Sequence, residues 1–454
     1  MKLFNKIKRI HMVGIKGTGM STLAVNLKHM GIKVSGSDYP ESFFTDELLK
    51  KQKIKVMSPF AAKNISPQTD AVVISTAYNN KNDEVQEAEK RGLTILTYPE
   101  VIGSLTKKLK SIAVCGSHGK TTTSGLLGYI FSQTKFKPLI NVGSIVPQLI
   151  NYKASPKTKL FIFEADEYQN KFEYYQPHTV ILTNIDYDHP DYFKSPRHYK
   201  SIFKEFVKKI PRNGLLIYCA DDKDNRDVAK NTSCKKIGYG FSNFADYQIV
   251  INEMKPGNMS FAINAPKLKN TKFSTRLIGQ HNALNATAAV LCASNLGVSL
   301  KETASALKKF NGTKRRLEVI KTSRIKGHEC LQIDDFAHHP TEIRNTLRAI
   351  KTAYPGTQLW TVFQPHTFSR TQALFNEFAG SFNESDKTII LDIYGSKREG
   401  TGKIHSKDLV KKIRGSIYKP GIKEAAEFIK KNVDRDCIIL TAGASNIWEM
   451  HGLI

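Results

Sequence analysis

The residues from 116 to 122 have the types and spacing of a phosphate-binding loop. They follow a short apolar run and include a glycine pair ahead of Lys120 and Thr121. A glycine turn at the start of a helix presents backbone N–H groups to an anion, and the helix dipole adds positive potential there. The lysine can neutralise the β- and γ-phosphates, and the next hydroxyl can hold Mg²⁺. The segment therefore predicts a phosphate site made of Gly116, Ser117, His118, Gly119, Lys120, Thr121 and Thr122.

This loop is shorter than the usual phosphate loop. The pattern GxxxxGK[ST] would place its first glycine at position 114, which is Val114 here. An ordinary turn with a helix N-cap is the alternative interpretation, and the Lys-Thr pair directly after Gly-x-x-Gly at a strand end argues against it. A lysine on a surface loop contributes little to packing, so the loss of Lys120 is expected to leave the fold intact.

Two acidic segments follow later strands. Glu164, Asp166 and Glu167 come directly after one apolar run, and the segment 186–191, which contains His189, comes after the next. The carboxyl ends of parallel strands meet at one edge of a sheet, so both segments should lie beside the phosphate loop. Each segment alone could be a solvated turn. Together, carboxylates and one imidazole predict a Mg²⁺ site shared with phosphate oxygens.

The elements that must position these residues alternate between strand and helix patterns. Two segments, 9–27 and 111 onward, read as a strand, a glycine turn and a helix. Further strand patterns lie at 71–74, 160–163, 179–182, 358–363, 388–391 and 437–440. Strands separated by helices predict an α/β fold with parallel sheets. We expect a Rossmann-like N-terminal domain (1–106), a central P-loop ATPase-like α/β domain (107–312) and a Rossmann-like C-terminal domain (313–454).

Composition narrows the classes of function. The 454 residues carry a net charge of +27, and the lysines are spread along the chain without the basic and aromatic motif of a nucleic-acid module. The charge suits polyanionic substrates and argues against specific nucleic-acid binding. The six cysteines are scattered without zinc-ligand spacing, which fits reduced thiols. No run reaches the ~20 apolar residues of a membrane span, so we expect a cytoplasmic protein without membrane insertion.

Taken in order, the motifs resemble the Mur ligase superfamily over almost the whole chain. The first domain of that family is similar to 14–20 and 36–38, its ATP loop to 116–123, and its metal-binding strand ends to 164–167 and 183–189. Its adenine-binding segment is similar to 279–285, and its amino-acid domain to 334–342 and 363–371. The resemblance implies UDP-sugar contacts from Gly14, Lys16, Gly17, Thr18, Gly19, Met20, Asp38, Ser75, Thr76 and Ala77.

The same resemblance implies roles for the remaining candidates. Thr121, Glu164 and His189 would hold Mg²⁺. His281 and Asn282 would fix adenine, and Arg316 and Asp335 would close over the nucleotide. His338 and Arg370 would face an incoming amino acid. The candidate catalytic residues are Lys120, Glu164, His189, His338 and Arg370.

The implied activity is the ATP-dependent joining of L-alanine to the lactyl carboxylate of UDP-N-acetylmuramate, through an acyl phosphate. The partners would be these small molecules and ATP, with the protein a monomer or weak homodimer. The third domain would deliver the amine, so we expect closure about a hinge near 311–314, where Gly312 can absorb a backbone rotation.

Several positions stay open. Asp38 either binds uridine or caps a turn, and His339 is either functional or a turn residue. Lys16 stands where many members carry glycine and could meet a pyrophosphate. Phe336 replaces a frequent tyrosine, so the preference for alanine over glycine or serine stays open. Lys200 and Lys204 lie where relatives carry a carbamylated lysine, and neither is assigned.

Four other functions compete with this interpretation. A murein-peptide ligase would add a tripeptide to the same UDP-sugar, and 363–371 favours the alanine enzyme over it. A folate-polyglutamylating ligase should lack the module at 14–38. An NAD-dependent oxidoreductase would use Gly17, Gly19 and Asp38, but the third glycine of GxGxxG is absent. A non-enzymatic nucleotide-binding scaffold would not need Lys120, Glu164 and His189 together.

Overall fold

The computed structural model describes residues 7–265, 271–395 and 402–454. Contacts divide the chain into two units. The first comprises 1–185, 200–248 and 285–311, and the second comprises 186–199, 249–284 and 312–454. Among the described residues, none of the helices has the length and apolar character needed to cross a membrane.

Five parallel strands form the N-terminal sheet of the first unit, in the order β3-β2-β1-β4-β5. The strands are β1 Arg9–Val13, β2 Lys33–Ser37, β3 Lys55–Met57, β4 Ala71–Ile74 and β5 Thr94–Thr97. The helices are α1 Thr18–His29, α2 Asp46–Lys51, α3 Asp83–Lys90 and α4 Tyr98–Lys108, with a 3₁₀ turn at Ala62–Asn64. α4 begins at a capping box formed by Thr97 and Glu100, with a proline in its first turn.

The strand order places a crevice at one point of this sheet. The chain leaves β1 toward β2 on one side and returns to β4 on the other side. The loops that follow β1 and β4 therefore diverge, and a ligand can enter between them at the carboxyl edge. These loops hold residues 14–17 and 75–78.

The central sheet of the first unit is also parallel. Its strands lie in the order β11-β10-β9-β6-β8-β7. They are β6 Lys110–Cys115, β7 Leu139–Asn141, β8 Leu160–Glu164, β9 Thr179–Leu182, β10 Leu215–Cys219 and β11 Lys235–Gly240. The helices are α5 Lys120–Ser132, α6 Pro196–Lys208, α7 Lys223–Val228, α8 Gln280–Asn295 and α9 Leu300–Lys309. The first residues of α6 (196–199) and of α8 (280–284) are counted in the second unit. The 3₁₀ turns are Pro147–Leu149, Tyr168–Tyr174 and Ala229–Asn231. The loops after β6, β8 and β9 meet at one edge, because these three strands are neighbours.

The N-terminal and central sheets belong to one unit because α1 is bonded to the edge of the central sheet. The Thr22 hydroxyl donates to Asn141 Oδ1 over 3.0 Å. The Asn26 amide donates to the Ile140 carbonyl oxygen over 2.9 Å. The contacts thus draw no division at residue 106, while one division falls between residues 311 and 312.

The second unit contains the C-terminal sheet, ordered β15-β16-β20-β17-β18-β19, with only β15 antiparallel to its neighbour. Its strands are β15 Glu318–Ile325, β16 His328–Asp335, β17 Gln358–Phe363, β18 Lys387–Ile390, β19 Ser416–Tyr418 and β20 Cys437–Ala442. Its helices are α10 Pro340–Ala353, α11 Phe368–Ala373, α12 Phe375–Ala379, α13 Ser406–Lys412 and α14 Ile422–Asn432, with a 3₁₀ turn at Ile447–Gly452. The antiparallel strands β13 Asn258–Asn264 and β14 Thr271–Thr275 also lie here, while β12 Tyr247–Lys255 starts in the first unit.

Apolar side chains of the central strands are buried on both faces of the C-terminal sheet. Along β17, Leu359 and Phe363 pack into one buried cluster, whereas Trp360 and Val362 pack into the other. A period of two sends successive side chains to opposite faces, and helices cover each face. The predicted α/β class is confirmed, and the predicted strands at 71–74, 358–363 and 437–440 coincide with β4, β17 and the start of β20.

Candidate active site

The phosphate loop is held against the end of β9. The backbone N–H groups of Ser117 and His118 donate to the Asn184 carbonyl and side-chain oxygens, each over 2.9 Å. Gly116 and Gly119 have φ of +124° and +81°. A Cβ at Gly119 would also meet the side-chain oxygen of Asn285. Both the backbone conformation and the space therefore require glycine there.

Lys120 is the first residue of α5, and its ammonium points into the loop. Its Nζ donates to the carbonyl oxygens of Gly116 and Ser117, and it lies 3.1 and 3.0 Å from the two carboxylate oxygens of Glu167. Burial opposes the charge of Lys120, but the Glu167 carboxylate outweighs it and raises the pKa of the lysine. The side chain of Lys120 is 13% exposed and that of Glu167 is 1% exposed. The expectation of an exposed loop lysine is therefore wrong, because the loop folds back over its own ammonium group.

Glu164 ends β8 opposite the start of α5. The Thr121 hydroxyl donates to Glu164 Oε1 over 3.1 Å, and the Gly143 N–H donates to Oε2 over 2.7 Å. A Cβ at Gly143 would collide with this carboxylate. A hydroxyl and a carboxylate beside a phosphate loop are oxygen donors of the kind that Mg²⁺ takes together with phosphate oxygens. The donor chemistry of this pair fits a magnesium ion.

A cleft of about 250 Å³ joins the N-terminal loops to the end of β8. Its lining comes from 17–20 and from Ser75, Thr76, Tyr98, Gly143, Glu164, Asp166 and Lys171. It thus brings the predicted UDP-sugar residues Gly17, Thr18, Gly19, Met20, Ser75 and Thr76 together with the predicted metal ligand Glu164. Ala77 lies in the same loop as Ser75 and is not among the lining residues. Tyr98, Gly143 and Lys171 were not expected from the sequence, because each lies outside the motifs. Asp166 was expected beside the phosphate loop, but without a role of its own.

Asp38 caps the glycine turn after β1. Its carboxylate accepts the backbone N–H groups of Lys16 over 2.8 Å and Tyr39 over 2.9 Å, and it lies 3.3 Å from the Tyr78 hydroxyl. Burial raises the pKa of Asp38 despite these hydrogen bonds. Gly14, with φ of +79°, starts this turn under the Tyr78 ring. Of the two interpretations of Asp38, the turn cap is present here, and the uridine contact stays a prediction.

The Lys16 ammonium binds the loop that follows β2. Its Nζ donates to the carbonyl oxygens of Tyr39 over 3.0 Å and Glu41 over 2.8 Å. It also lies 3.5 Å from Asp46 and 5.3 Å from the centre of the Phe43 ring. The contact of Lys16 with a pyrophosphate stays a prediction.

Replacing Lys16 with methionine should loosen residues 39–46. Charge-assisted hydrogen bonds contribute about 1.5–3 kcal/mol each. We therefore expect amide hydrogen exchange in this loop to accelerate about tenfold or more in the ligand-free protein. Lys16→Arg is the matched control and should stay close to the wild type. Unchanged exchange in the methionine variant would contradict this role of Lys16.

In the second unit, Arg370 forms a buried ion pair with Asp188. Arg370 Nε lies 2.8 Å from Asp188 Oδ1, and the two side chains are 6% and 7% exposed. Another N–H of the guanidinium donates to the His366 carbonyl oxygen over 2.6 Å. Burial opposes ionisation of Asp188, but the positive charge of Arg370 outweighs it and holds the pKa of this carboxyl well below its ordinary value. Arg370 is thus positioned by the segment that carries His189, which stands next to Asp188 with φ of +56°.

Asp335 ends β16 and organises the turn that follows it. Its carboxylate accepts the N–H groups of Leu317 over 2.8 Å and Ala337 over 2.7 Å. Burial raises its pKa to about 6. Arg316 lies 3.5 Å from Glu342, and its guanidinium carbon is 5.1 Å from the centre of the Phe336 ring. The Arg316 guanidinium therefore lies within cation–π distance of the Phe336 ring.

Three histidines of the second unit differ in role. Burial lowers the pKa of His338 to about 3 and that of His281 to about 4, so both rings are neutral near pH 7. His338 Nδ1 lies 3.0 Å from the Phe336 carbonyl oxygen. His339 is the N-cap of α10, and it forms a capping box with Glu342. The turn-residue interpretation of His339 therefore has a structural basis. Asn282, beside His281, donates to the Ile278 carbonyl oxygen over 2.8 Å.

Comparison with known proteins covers nearly the whole chain. Three family models match it: "Mur ligase family, catalytic domain" over 9–110, "Mur ligase middle domain" over 114–293 and "Mur ligase, glutamate ligase domain" over 315–445. The UDP-N-acetylmuramate–L-alanine ligase of Acetivibrio thermocellus is 35% identical over 98% of this chain and 95% of its own length. The crystal structure of the UDP-N-acetylmuramate–alanine ligase of Thermotoga maritima has a TM-score of 0.81 at 23% identity, covering 98% of both chains. A murein peptide ligase from Psychrobacter arcticus has a TM-score of 0.69 at 25% identity, covering 98% of this chain and 97% of its own.

Proposed function

The chain belongs to the Mur ligase family, and from that premise we propose that it joins L-alanine to the lactyl carboxylate of UDP-N-acetylmuramate at the expense of ATP. The observation that carries this proposal is the cleft that unites the N-terminal glycine loop with Glu164 at the edge of the phosphate loop. A nucleotide sugar held by residues 17–20 would extend its acid group toward the phosphate loop there. The reaction is a step of peptidoglycan precursor synthesis.

ATP is needed because a carboxylate resists attack by an amine. Phosphorylation converts it to an acyl phosphate, the amine attacks the carbonyl carbon, and phosphate leaves as the amide forms. Catalysis of such transfers consists mainly of positioning and charge neutralisation. Lys120 would release Glu167 and bind the β- and γ-phosphates. The backbone N–H groups of the glycine turn would hold the same phosphates.

Thr121 and Glu164 would hold a Mg²⁺ in this scheme. A bound Mg²⁺ would neutralise phosphate oxygens during transfer. The hydrogen bond from Gly143 fixes the Glu164 carboxylate in advance, so little reorientation is required. His189 remains a predicted ligand, and so do the adenine contacts of His281 and Asn282 and the nucleotide contacts of Arg316 and Asp335.

We assign recognition of the amino acid to Arg370 and His338. A guanidinium suits the carboxylate of L-alanine, because it can donate two parallel hydrogen bonds. His338 is uncharged near pH 7 as a result of burial. A neutral imidazole does not repel the ammonium group of an incoming amino acid, so the pair can receive both ends of the zwitterion.

The rival functions are less well supported. The curated relatives that match over the full length, such as the one from Acetivibrio thermocellus, are named as alanine ligases. Mur ligase models match all three segments of the chain, and none of these models describes an NAD-dependent oxidoreductase.

Substrate preference tests the proposal directly. ADP release should require both UDP-N-acetylmuramate and the acceptor, and kcat/KM should be much higher for L-alanine than for the tripeptide used by murein peptide ligases. Glycine and L-serine serve as matched acceptors, since they differ from alanine by one small group. A higher kcat/KM with the tripeptide would identify the recycling activity instead, and ADP release without any UDP-sugar would exclude both ligases.

A further inference from the structure

We propose that Lys171 recognises the carboxylate of the nucleotide sugar and holds it in the cleft before it is phosphorylated. The inference rests on the proposed function and names a residue that selects a UDP-sugar bearing a carboxylate over one without it. No motif of the sequence assigns a role to Lys171.

The first support is the position of Lys171. It lines the same cleft as the glycine loop 17–20, Ser75, Thr76 and Glu164. A nucleotide bound at the loops after β1 and β4 must pass its sugar through this cleft to bring the acid group near Glu164. Lys171 lies on the 3₁₀ turn Tyr168–Tyr174, which is separated from β8 only by residues 165–167. A residue placed there meets the substrate at its reactive end.

The second support is the balance of charge in the cleft. Glu164 and Asp166 both contribute carboxylates to the lining, while Lys171 is its one cationic side chain among the residues that the structure describes. Two carboxylates repel a third, and a nearby ammonium group offsets that repulsion. A carboxylate substrate therefore needs the Lys171 charge, in addition to any metal ion, to lie in this cleft.

The third support is the fixed position of the ammonium group. The Lys171 side chain is 10% exposed, and its Nζ is ion-paired with Asp166. It also lies 5.6 Å from the centre of the Tyr168 ring. An ammonium has three N–H donors, so a pair with one carboxylate does not exhaust it. A side chain that is already ordered loses little entropy when a ligand binds.

A purely structural role is the competing interpretation, in which the Lys171–Asp166 pair only ties the 3₁₀ turn to the strand end. The two roles predict different selectivity. A structural tie would affect every ligand of the cleft equally. A carboxylate contact would affect UDP-N-acetylmuramate and spare UDP-N-acetylglucosamine, which lacks the lactyl group.

Titration calorimetry with the full-length protein separates these roles. Both UDP-sugars are titrated into the wild type, Lys171→Met and Lys171→Arg, with magnesium and a non-hydrolysable ATP analogue, and again in EDTA without nucleotide. We expect Lys171→Met to weaken UDP-N-acetylmuramate about 10- to 100-fold, the range of one charge-assisted hydrogen bond, in both conditions. UDP-N-acetylglucosamine should bind as before, and Lys171→Arg should recover part of the loss. Lys351→Met is a matched control, since it removes the lysine of a 2.6 Å ion pair with Asp386 in the second unit.

Each other outcome decides against the inference. Equal weakening of both UDP-sugars would assign Lys171 to the structure of the cleft, and unchanged binding of both would give it no role in recognition. A wild type that binds neither UDP-sugar would instead overturn the proposed function. Circular dichroism of Lys171→Met, compared with the wild type and Lys351→Met, detects a variant that fails to fold. In that case Lys171→Arg is decisive: weaker binding of UDP-N-acetylmuramate with unchanged binding of UDP-N-acetylglucosamine supports the inference, whereas an unchanged preference between the two sugars contradicts it.

Discussion

Replacing Lys120 with alanine is expected to lower kcat for ligation by about 10²- to 10³-fold or more. Loss of a charge that stabilises the transferring phosphoryl group in a closed site costs several kcal/mol of barrier. The ammonium already lies inside the loop, 3.0 Å from the Ser117 carbonyl oxygen and 3.0 Å from Glu167 Oε2. Steady-state ADP release with saturating substrates measures the effect. A variant that keeps most of the wild-type rate would contradict the assignment of this loop.

The pairing of Lys120 with Glu167 requires a control for stability. Glu167 is buried, so removal of the lysine leaves its carboxylate without this cation, at a cost of about 3–5 kcal/mol for a fully buried pair. The double variant Lys120→Ala with Glu167→Gln should regain much of that stability and none of the activity. Thermal unfolding of the two variants, measured beside kcat, separates lost folding from lost catalysis. Recovery of activity in the double variant would show that Lys120 acts only through Glu167.

Replacing Arg370 with alanine is expected to reduce both the stability of the second unit and the use of L-alanine. The guanidinium and the Asp188 carboxylate are 2.8 Å apart and both are buried, so loss of one partner should cost about 3–5 kcal/mol of unfolding free energy. The value of kcat/KM for L-alanine should fall, while the Kd for ATP should change much less. Denaturant unfolding, acceptor kinetics and nucleotide titration provide the three readouts. A defect confined to ATP binding would contradict the proposed contact with the acceptor.

The double variant Arg370→Met with Asp188→Asn separates the effect on stability from the effect on the use of L-alanine. It should restore most of the stability, because neither side chain then leaves a charge buried, but it should not restore the use of alanine.

The pH dependence of the unfolding free energy gives a second check on the ion pair. The pKa of Asp188 is depressed in the folded state, so its stabilisation is present above the unfolded pKa of about 4 and is lost as pH falls below it. The wild type should lose this stability on acidification, whereas the Asp188→Asn variant should not.

The sequence was sufficient for the fold class, because strand patterns such as 71–74 and 437–440 are short, apolar and separated by helical periodicity. The phosphate loop was also accessible, since glycine, lysine and threonine stand next to one another in the chain. Ser75 and Thr76 lie near residues 17–20 because β4, which precedes them, is the parallel neighbour of β1 in the sheet.

The remainder of the site depends on pairs that are distant in the chain. Asp188 and Arg370 are 182 residues apart, and no local pattern signals their ion pair. Glu167 stands three residues after Glu164, and only the path of the turn after β8 decides which carboxylate meets Lys120 and which meets Thr121. The contact of Lys16 with a pyrophosphate stays a prediction. In the ligand-free protein its side chain donates to the backbone carbonyl oxygens of Tyr39 and Glu41, in a loop whose conformation cannot be read from composition.

The hydrogen bond between Gly143 and Glu164 also bears on inhibition. A side chain at position 143 would push against the Glu164 carboxylate rather than against the core, so the folded protein would persist while its predicted metal ligand moved. We therefore expect that, for a compound that fills the cleft and bonds to the main chain of Gly143, a resistance mutation at position 143 would also inactivate the enzyme. Resistance to such a compound should arise at more distant residues of the cleft, or through higher expression, and selection experiments should return few substitutions at 143.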